Sequence, residues 1–318
     1  MPGKVAAVCI SRKKGVRKES VGEGKLIAGW GLEGDAHAGK WHRQVSLLSV
    51  SSIEKMREAG KEKGIDLTPG DFAENLTIEG MELFTIPVGT YLTIGEALVE
   101  VTQIGKECHQ GCEIFKQVGH CIMPKEGIFT RVLVGGRVKA GDSIDFWTGI
   151  PVGIITASDK GAKGEREDKS VWEIETLIKD IQGRVIDYRL LPDDQEMLAQ
   201  AMIEMADELG VAILLTTGGT GFSKRDVTPE ATLRVIERSI PGLPEAMRRE
   251  SSAESPRAML SRAVAGIRGK CLIVNLPGSP KAVRECLHVI LPLLPHAIDI
   301  LRGTGGECGQ PVKNQGEL

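Results

Sequence analysis

Three short runs with little polar interruption, Val152–Ala157, Val211–Thr216 and Cys271–Leu276, restrict this chain more than any other feature of it. Strands this apolar cannot leave one face in water. Segments of helical period lie between them. Val171, Ile174, Ile178 and Ile181 follow one another at spacings of three, four and three, and Leu198, Met202, Met205 and Leu209 share one face of Gln195–Leu209. A strand at Val185–Leu190, a helix at Thr228–Ser239 and a helical region from about Lys281 to Leu301 complete the alternation. The pattern predicts a three-layer α/β domain with a mostly parallel sheet covered on both faces.

The first 148 residues read differently. Val5–Ile10, Val45–Val50, Tyr91–Ile94, Leu98–Ile104, Arg131–Val134 and Ser143–Phe146 are short strand-like runs separated by Gly, Pro and Asp. One amphipathic helix, from Ser51 or Ser52 through Lys63, interrupts them. Many strands and few helices predict a β-rich, barrel-like domain. The expected organisation is therefore a domain at 1–148, a second at 151–303, and a Gly-rich tail at 304–318 that is expected to be disordered.

With 318 residues, 41% apolar and 26% charged, the chain is expected to bury two cores. A formal charge of −3 argues against nucleic acid or a membrane surface as partner. No apolar stretch approaches the roughly 18 residues of a membrane span. The N-terminus enters a strand-like run without a signal-peptide pattern, so a cytoplasmic protein is expected. Seven cysteines do not suit a disulfide scaffold. Cys9, Cys271 and Cys286 lie in apolar runs and are expected in the core, whereas Cys308 lies in the tail.

Ligands of open α/β sheets bind beyond the carboxyl ends of the strands, and the informative loops fall there. Thr216-Thr217-Gly218-Gly219-Thr220-Gly221 follows one apolar run. Its glycines let backbone N–H groups face a bulky anion, and its threonines add hydroxyl donors. It is not a Walker A loop, because Ser223 precedes Lys224. In Asp226-Val227-Thr228-Pro229-Glu230, Thr228 is the expected N-cap and Pro229 the first residue of a helix whose N-terminus favours anions. Asp226 either holds Mg²⁺ or orients a hydroxyl, or it serves the helix dipole or caps the loop. Leu276-Pro277-Gly278-Ser279-Pro280 repeats the loop pattern at the same sheet edge. Ser158-Asp159 ends the first strand, with Asp168 at the entry to the first helix. Pro192-Asp193-Asp194 ends the second, with Asp194 as N-cap and Asp193 free for other work. Carboxylates beside phosphate-cradling loops would repel an anionic ligand unless a cation intervened, so the layout predicts Mg²⁺ with a nucleotide.

From Val152 to about Gly303 the chain resembles the MogA/MoaB family. The resemblance rests on Ser158-Asp159, Leu191 to Gln195, Thr216 to Gly221, Asp226 to Glu230, Met259-Leu260-Ser261-Arg262 and Leu276 to Pro280. It implies an α/β trimer that binds molybdopterin and Mg-ATP and transfers AMP to the terminal phosphate of molybdopterin, releasing pyrophosphate. Asp193 and Asp226 match the family's two critical aspartates, for Mg²⁺ and nucleotide handling. Ser158, Asp159, Thr217, Gly218, Gly219, Thr220 and Gly221 should contact substrates, as should Thr228, Pro229, Glu230, Pro277, Gly278, Ser279 and Pro280. Ser261 and Arg262 line the pterin pocket or form a polar helix surface.

The N-terminal half resembles the MOSC domain through Gly31 to His37, Pro69 to Leu76 and a cysteine region ending in Gly141-Asp142. That β-rich module is implied to bind the cofactor or a sulfur species. Cys112, placed before Glu113-Ile114-Phe115-Lys116, matches its signature cysteine. His37 is either structural or ligand-facing. Cys108-His109-x-x-Cys112 is also half of a zinc pattern, with Cys121 or His120 as a further ligand, although no second CxxC accompanies it. The expected function is molybdopterin adenylylation, with a molybdenum-insertion protein or apo-molybdoenzymes as recipients. A carrier or storage protein without catalysis is the alternative, and a related pyrophosphate-processing role the third reading.

Overall fold

The computed structural model describes residues 3–107, 115 and 119–303, and the chain divides into two units, Met1–Thr148 and Gly149–Leu318. Cys108, His109, Cys112, Cys308 and the tail at 304–318 lie outside the described residues.

In the first unit seven strands close into a barrel, in the order Ser143–Trp147, Tyr91–Ile94, Ala97–Ile104, Ile128–Val134, Val45–Ser49, Leu76–Glu79, Gly3–Ile10 and back to Ser143–Trp147. Closure removes the unpaired edges that an open sheet would expose. Only Val45–Ser49 and Leu76–Glu79 run parallel, and the helix Val50–Lys61 lies in their connection. The barrel is filled by aliphatic side chains, among them Leu47, Leu76, Ile78, Leu92, Ile94, Val99 and Val132. Ile53 and Met56 of the helix pack outside it on Leu48, Phe72 and Phe129. The helix starts slightly earlier than its sequence pattern implies. Ser49 is the N-cap, accepting from Ser52 N at 3.1 Å, so neither Ser51 nor Ser52 caps it.

The sheet of the second unit is mixed. Its order is Gly183–Leu191, Ile150–Ala157, Ile213–Thr217, Cys271–Leu276, Ala265–Arg268 and Arg238–Ser239. The first four strands are parallel, Ala265–Arg268 runs antiparallel to Cys271–Leu276, and Arg238–Ser239 runs antiparallel to Ala265–Arg268. Three of its five pairings are parallel and two antiparallel, and the two strands that make it mixed carried no signature because they are so short. Arg238–Ser239 was expected inside a helix, which instead ends at Val235. The helix Gly242–Glu254 was not expected at all.

Alternation along the central strands explains their apolar runs. Val152 and Ile154 face one core with Ile174, Met247, Leu287 and Ile290, while Ile155 and Ala157 face the other with Leu198, Met202 and Val235. Both faces are covered, which gives three layers. Successive connections from Ile150–Ala157 lead first to the neighbour on one side and then, with Ile213–Thr217, to the other. The order reverses between these two strands, and a crevice opens at their carboxyl ends.

Candidate active site

A cleft of about 800 Å³ occupies that crevice. Of the expected residues, Ser158, Asp193, Thr217, Gly218, Gly219, Asp226, Gly278, Ser279 and Pro280 line it. Asp159, Thr220, Gly221, Thr228, Pro229, Glu230, Ser261, Arg262 and Pro277 are not among the lining residues. Thr156, Ala157, Gly161, Leu190 and the segment Arg166 to Ser170 line it as well.

The glycine loop is held in a shape that only glycine permits. Gly218 has φ +90°, and a Cβ there would lie 2.3 Å from Ala157 O. Gly219 has φ +63°, and its Cβ would lie 2.3 Å from Thr228 Oγ1 and 3.1 Å from Asp193 Oδ1. The missing methyl therefore leaves a small space bounded by a hydroxyl and a carboxylate. Thr228 is the first residue of the helix Thr228–Val235 and not its cap, so its hydroxyl is not spent on capping. It is fully buried and has no hydrogen-bond partner among the described residues. Such a group normally has a partner, and here a ligand oxygen or metal would supply it.

Around this space the carboxylates are arranged by their neighbours. Asp159 and Asp193 exchange bonds, Asp159 N donating to Asp193 Oδ2 at 3.1 Å and Asp193 N to Asp159 Oδ1 at 3.2 Å. This ties together the loops that follow two adjacent strands. Arg225 grips Asp159 with contacts of 2.6 to 2.9 Å, and that hydrogen bonding holds the Asp159 carboxyl below its ordinary value. Asp193 behaves oppositely. Burial, then the negative charges of Asp159 and Asp226, push its carboxyl above the ordinary range. Asp226 Oδ2 accepts from Ser223 N at 2.8 Å and closes the turn before the helix. Asp194 caps its helix, accepting from Met197 N at 2.9 Å, which leaves Asp193 to the cleft.

Arg262 works from behind. Its Nε donates to Gly221 O at 2.7 Å, its Nη2 to Asp226 O at 2.6 Å, and its Nη1 pairs with Glu230. It fastens the loop and the helix start to each other. Beneath the loop, Asn275 Nδ2 donates to Thr216 Oγ1 at 2.9 Å and to Thr232 Oγ1 at 2.8 Å, and Asn275 Oδ1 accepts from Val264 N at 3.2 Å. Nothing in the residue pattern singled out Asn275, whose place inside an apolar strand was the available signal.

Asp168 anchors the opposite wall. It accepts from Thr156 Oγ1 at 2.5 Å, Tyr188 Oη at 2.8 Å and Ser170 N at 2.9 Å. Burial and this carboxylate push the Tyr188 hydroxyl up to about 12. Among the described residues, no group of three or more His, Cys, Asp or Glu side chains could hold a metal. Two carboxylates facing a cleft suit Mg²⁺ that arrives with phosphates, since this ion takes few protein ligands in such sites.

In the first unit, Asp35 is buried against Lys18, whose Nζ lies 2.7 Å away. Asp35 also accepts from Ser11 N at 3.0 Å and His37 N at 2.9 Å, and His37 Nδ1 stands 3.4 Å from it. The expected His37 is thus oriented by a buried carboxylate. The signature cysteine expected in this domain, Cys112, lies outside the described residues.

Comparison with known proteins matches the family model described as a probable molybdopterin binding domain over residues 153–296, and the MOSC domain over 34–145. A molybdopterin adenylyltransferase of Helicobacter pylori (strain J99) is 40% identical over 157 residues, spanning 49% of this chain and 89% of that protein. The molybdopterin adenylyltransferase of Escherichia coli (strain K12) is 38% identical over 178 residues, spanning 51% and 90%. The solved structure of the molybdopterin biosynthesis enzyme MoaB from Thermus thermophilus is 45% identical, covers 50% of this chain and 99% of its own, and has a TM-score of 0.47.

Proposed function

The chain belongs to the molybdopterin adenylyltransferase family and carries a MOSC domain ahead of that module, and from this premise we propose that the cleft described above performs the Mg-ATP-dependent transfer. The chain acts in molybdenum cofactor biosynthesis as a molybdopterin adenylyltransferase. In the reaction an oxygen of the terminal molybdopterin phosphate attacks the α-phosphorus of ATP. A P–O bond forms there as the bond to the β-phosphate breaks, and pyrophosphate leaves with the electron pair.

The observation that carries the assignment of roles is the space over Gly219, bounded by the unpartnered Thr228 hydroxyl and the Asp193 carboxylate. Asp193 and Asp226 would hold Mg²⁺ carried by the nucleotide, which supplies neutralisation of phosphate charge. Gly218 N is spent on Leu276 O and Thr228 N on Gly219 O, so the N–H that the turn would offer to a phosphate oxygen is that of Gly219. Arg262 and Asn275 keep that turn in place. Transfer of this kind depends mainly on positioning and charge stabilisation, which these groups provide. A carrier would have no use for Asp193 in a setting that disfavours its own ionisation.

We assign to the MOSC domain the binding of the cofactor or a sulfur species, with His37 and Cys112 as its residues. Among the described residues, no helix is long and apolar enough to cross a membrane. The reading extends to a cytoplasmic homotrimer that hands its product to a molybdenum-insertion protein or an apo-molybdoenzyme.

The test is pyrophosphate release by the purified chain with molybdopterin, ATP and Mg²⁺. Release should require all three. Asp226→Ala should lower it by a factor on the order of 10² to 10³, the usual cost of removing one electrostatic group from a transition-state site. Asp226→Asn, which keeps an acceptor for Ser223 N, separates loss of charge from loss of the turn. A folded chain that binds molybdopterin without releasing pyrophosphate would turn the reading to the carrier. Cys112→Ser should leave this rate unchanged, and loss of transfer at unchanged stability would refute the division of labour between the domains.

A further inference from the structure

The cleft's wall opposite the glycine loop holds two cations that no carboxylate uses. Arg166 and Lys169 are the only basic residues in the lining, and neither makes an ion pair or hydrogen bond among the described residues. Other arginines around the sheet edge are occupied: Arg225 by Asp159, Arg262 by Glu230 and Arg189 by Asp187 and Glu204. Of the two acids between them, Asp168 is already committed to Thr156, Tyr188 and the start of the next helix, and Glu167, which also lines the cleft, pairs with neither cation.

The segment is also braced. Asp168 binds it to two strands, and Ser170 Oγ donates to Gly278 O at 3.0 Å. Gly278 in turn lies against the glycine loop, since a Cβ on it would stand 3.3 Å from Gly218 Cα. Unpaired cations on a braced wall of a cleft are placed to receive an anion from solution. Asp193 and Asp226 can take phosphate oxygens only through a cation of their own, so the two walls offer different means of holding the same chemistry.

We propose that Arg166 and Lys169 form a phosphate clamp, binding by direct charge-assisted hydrogen bonds the phosphate oxygens that Asp193 and Asp226 do not reach. Two sources share this chemistry in the adenylyl-transfer reading on which the proposal rests: the β- and γ-phosphates of the nucleotide, later pyrophosphate, and the phosphate of the pterin. Asp168 is then a positioning residue that aims the clamp.

The experiment measures dissociation constants by calorimetry for Mg-pyrophosphate, Mg-ATP, AMP and molybdopterin with the full chain and the Arg166→Gln/Lys169→Gln variant. At least about a tenfold loss is expected for the phosphate that is clamped, because a hydrogen bond to a charged group contributes roughly one decade of affinity or more. Weakened pyrophosphate and ATP with unchanged AMP and molybdopterin would assign the nucleotide tail. Weakened molybdopterin with unchanged pyrophosphate would assign the pterin phosphate. Unchanged affinities for all four overturn the proposal. If the double variant melts early, the single variants and the charge-retaining Arg166→Lys carry the same comparison, with retained affinity expected in the latter. Because these are affinities, a wild-type chain that binds the ligands without turnover counts against the adenylyl-transfer reading and not against the clamp.

Discussion

Asp193→Asn is expected to lose adenylyl transfer and at the same time to raise the melting temperature of the ligand-free second unit. Both effects come from one circumstance. Burial and the charges of Asp159 and Asp226 raise the Asp193 carboxyl above its ordinary value. A carboxyl whose folded value is raised adds stability below its unfolded value of about 3.9, and that contribution is lost as pH rises through the folded value. At neutral pH the ionised side chain therefore opposes folding. The amide removes the charge and still offers an oxygen to Asp159 N, which donates to this side chain at 3.1 Å. The gain in stability should be present at neutral pH and vanish in acid, where the wild-type group is protonated. Saturating Mg-ATP should reverse the order, because it stabilises only the protein that binds it. The rate should fall on the order of 10² to 10³-fold, as for Asp226→Ala. The acid limb of the wild-type pH–rate profile should lie above the usual carboxylate range. Scanning calorimetry with and without Mg-ATP decides the matter. An unchanged or lowered melting temperature in the ligand-free variant would remove the argument that the site holds an uncompensated charge.

The sequence made some of this visible and concealed the rest for physical reasons. The central strands were legible because burial on both faces leaves little room for polar residues between Val152 and Ala157 or between Cys271 and Leu276. The cleft was legible at Gly218 and Gly219 because positive φ and close backbone approach leave glycine as the fitting residue. Arg166 and Lys169 were not, since charged residues in a loop look the same whether they face a cleft or water. Thr228 was expected to cap its helix, and the structure instead frees its hydroxyl by starting the helix one residue earlier. That distinction turns on backbone angles at Val227 that residue type does not determine. The two edge strands were hidden because Arg238–Ser239 and Ala265–Arg268 are short and face solvent in part. A barrel-like first unit was expected from its many short strands, but not which strands close it, because the pairing of Gly3–Ile10 with Ser143–Trp147 joins segments far apart in sequence.

Lys18→Met should destabilise the first unit by about 3–5 kcal/mol, the usual cost of stranding one member of a buried ion pair. The Lys18 and Asp35 side chains are 0% and 1% exposed. Burial opposes ionisation of Asp35, yet bonding from His37 and the charge and hydrogen bond of Lys18 hold its carboxyl below the ordinary range. A carboxyl with a lowered folded value contributes stability above its unfolded value, and that contribution is lost as pH falls through the folded value. The difference between wild type and Lys18→Met should therefore be full at neutral pH and shrink in acid. Burial also pulls the Lys18 ammonium below its ordinary value, so the pair is costly to bury even when made. It follows that Lys18→Met/Asp35→Leu should recover much of what Lys18→Met loses, although Ser11 N and His37 N then lack their acceptor. Urea unfolding followed by tryptophan fluorescence can read this, since Trp30, Trp41 and Trp147 lie in the first unit and Trp172 in the second. A Lys18→Met variant as stable as wild type at neutral pH would mean that Asp35 is held by its backbone donors alone. His37 would then owe its orientation to the loop and not to the ion pair beneath it.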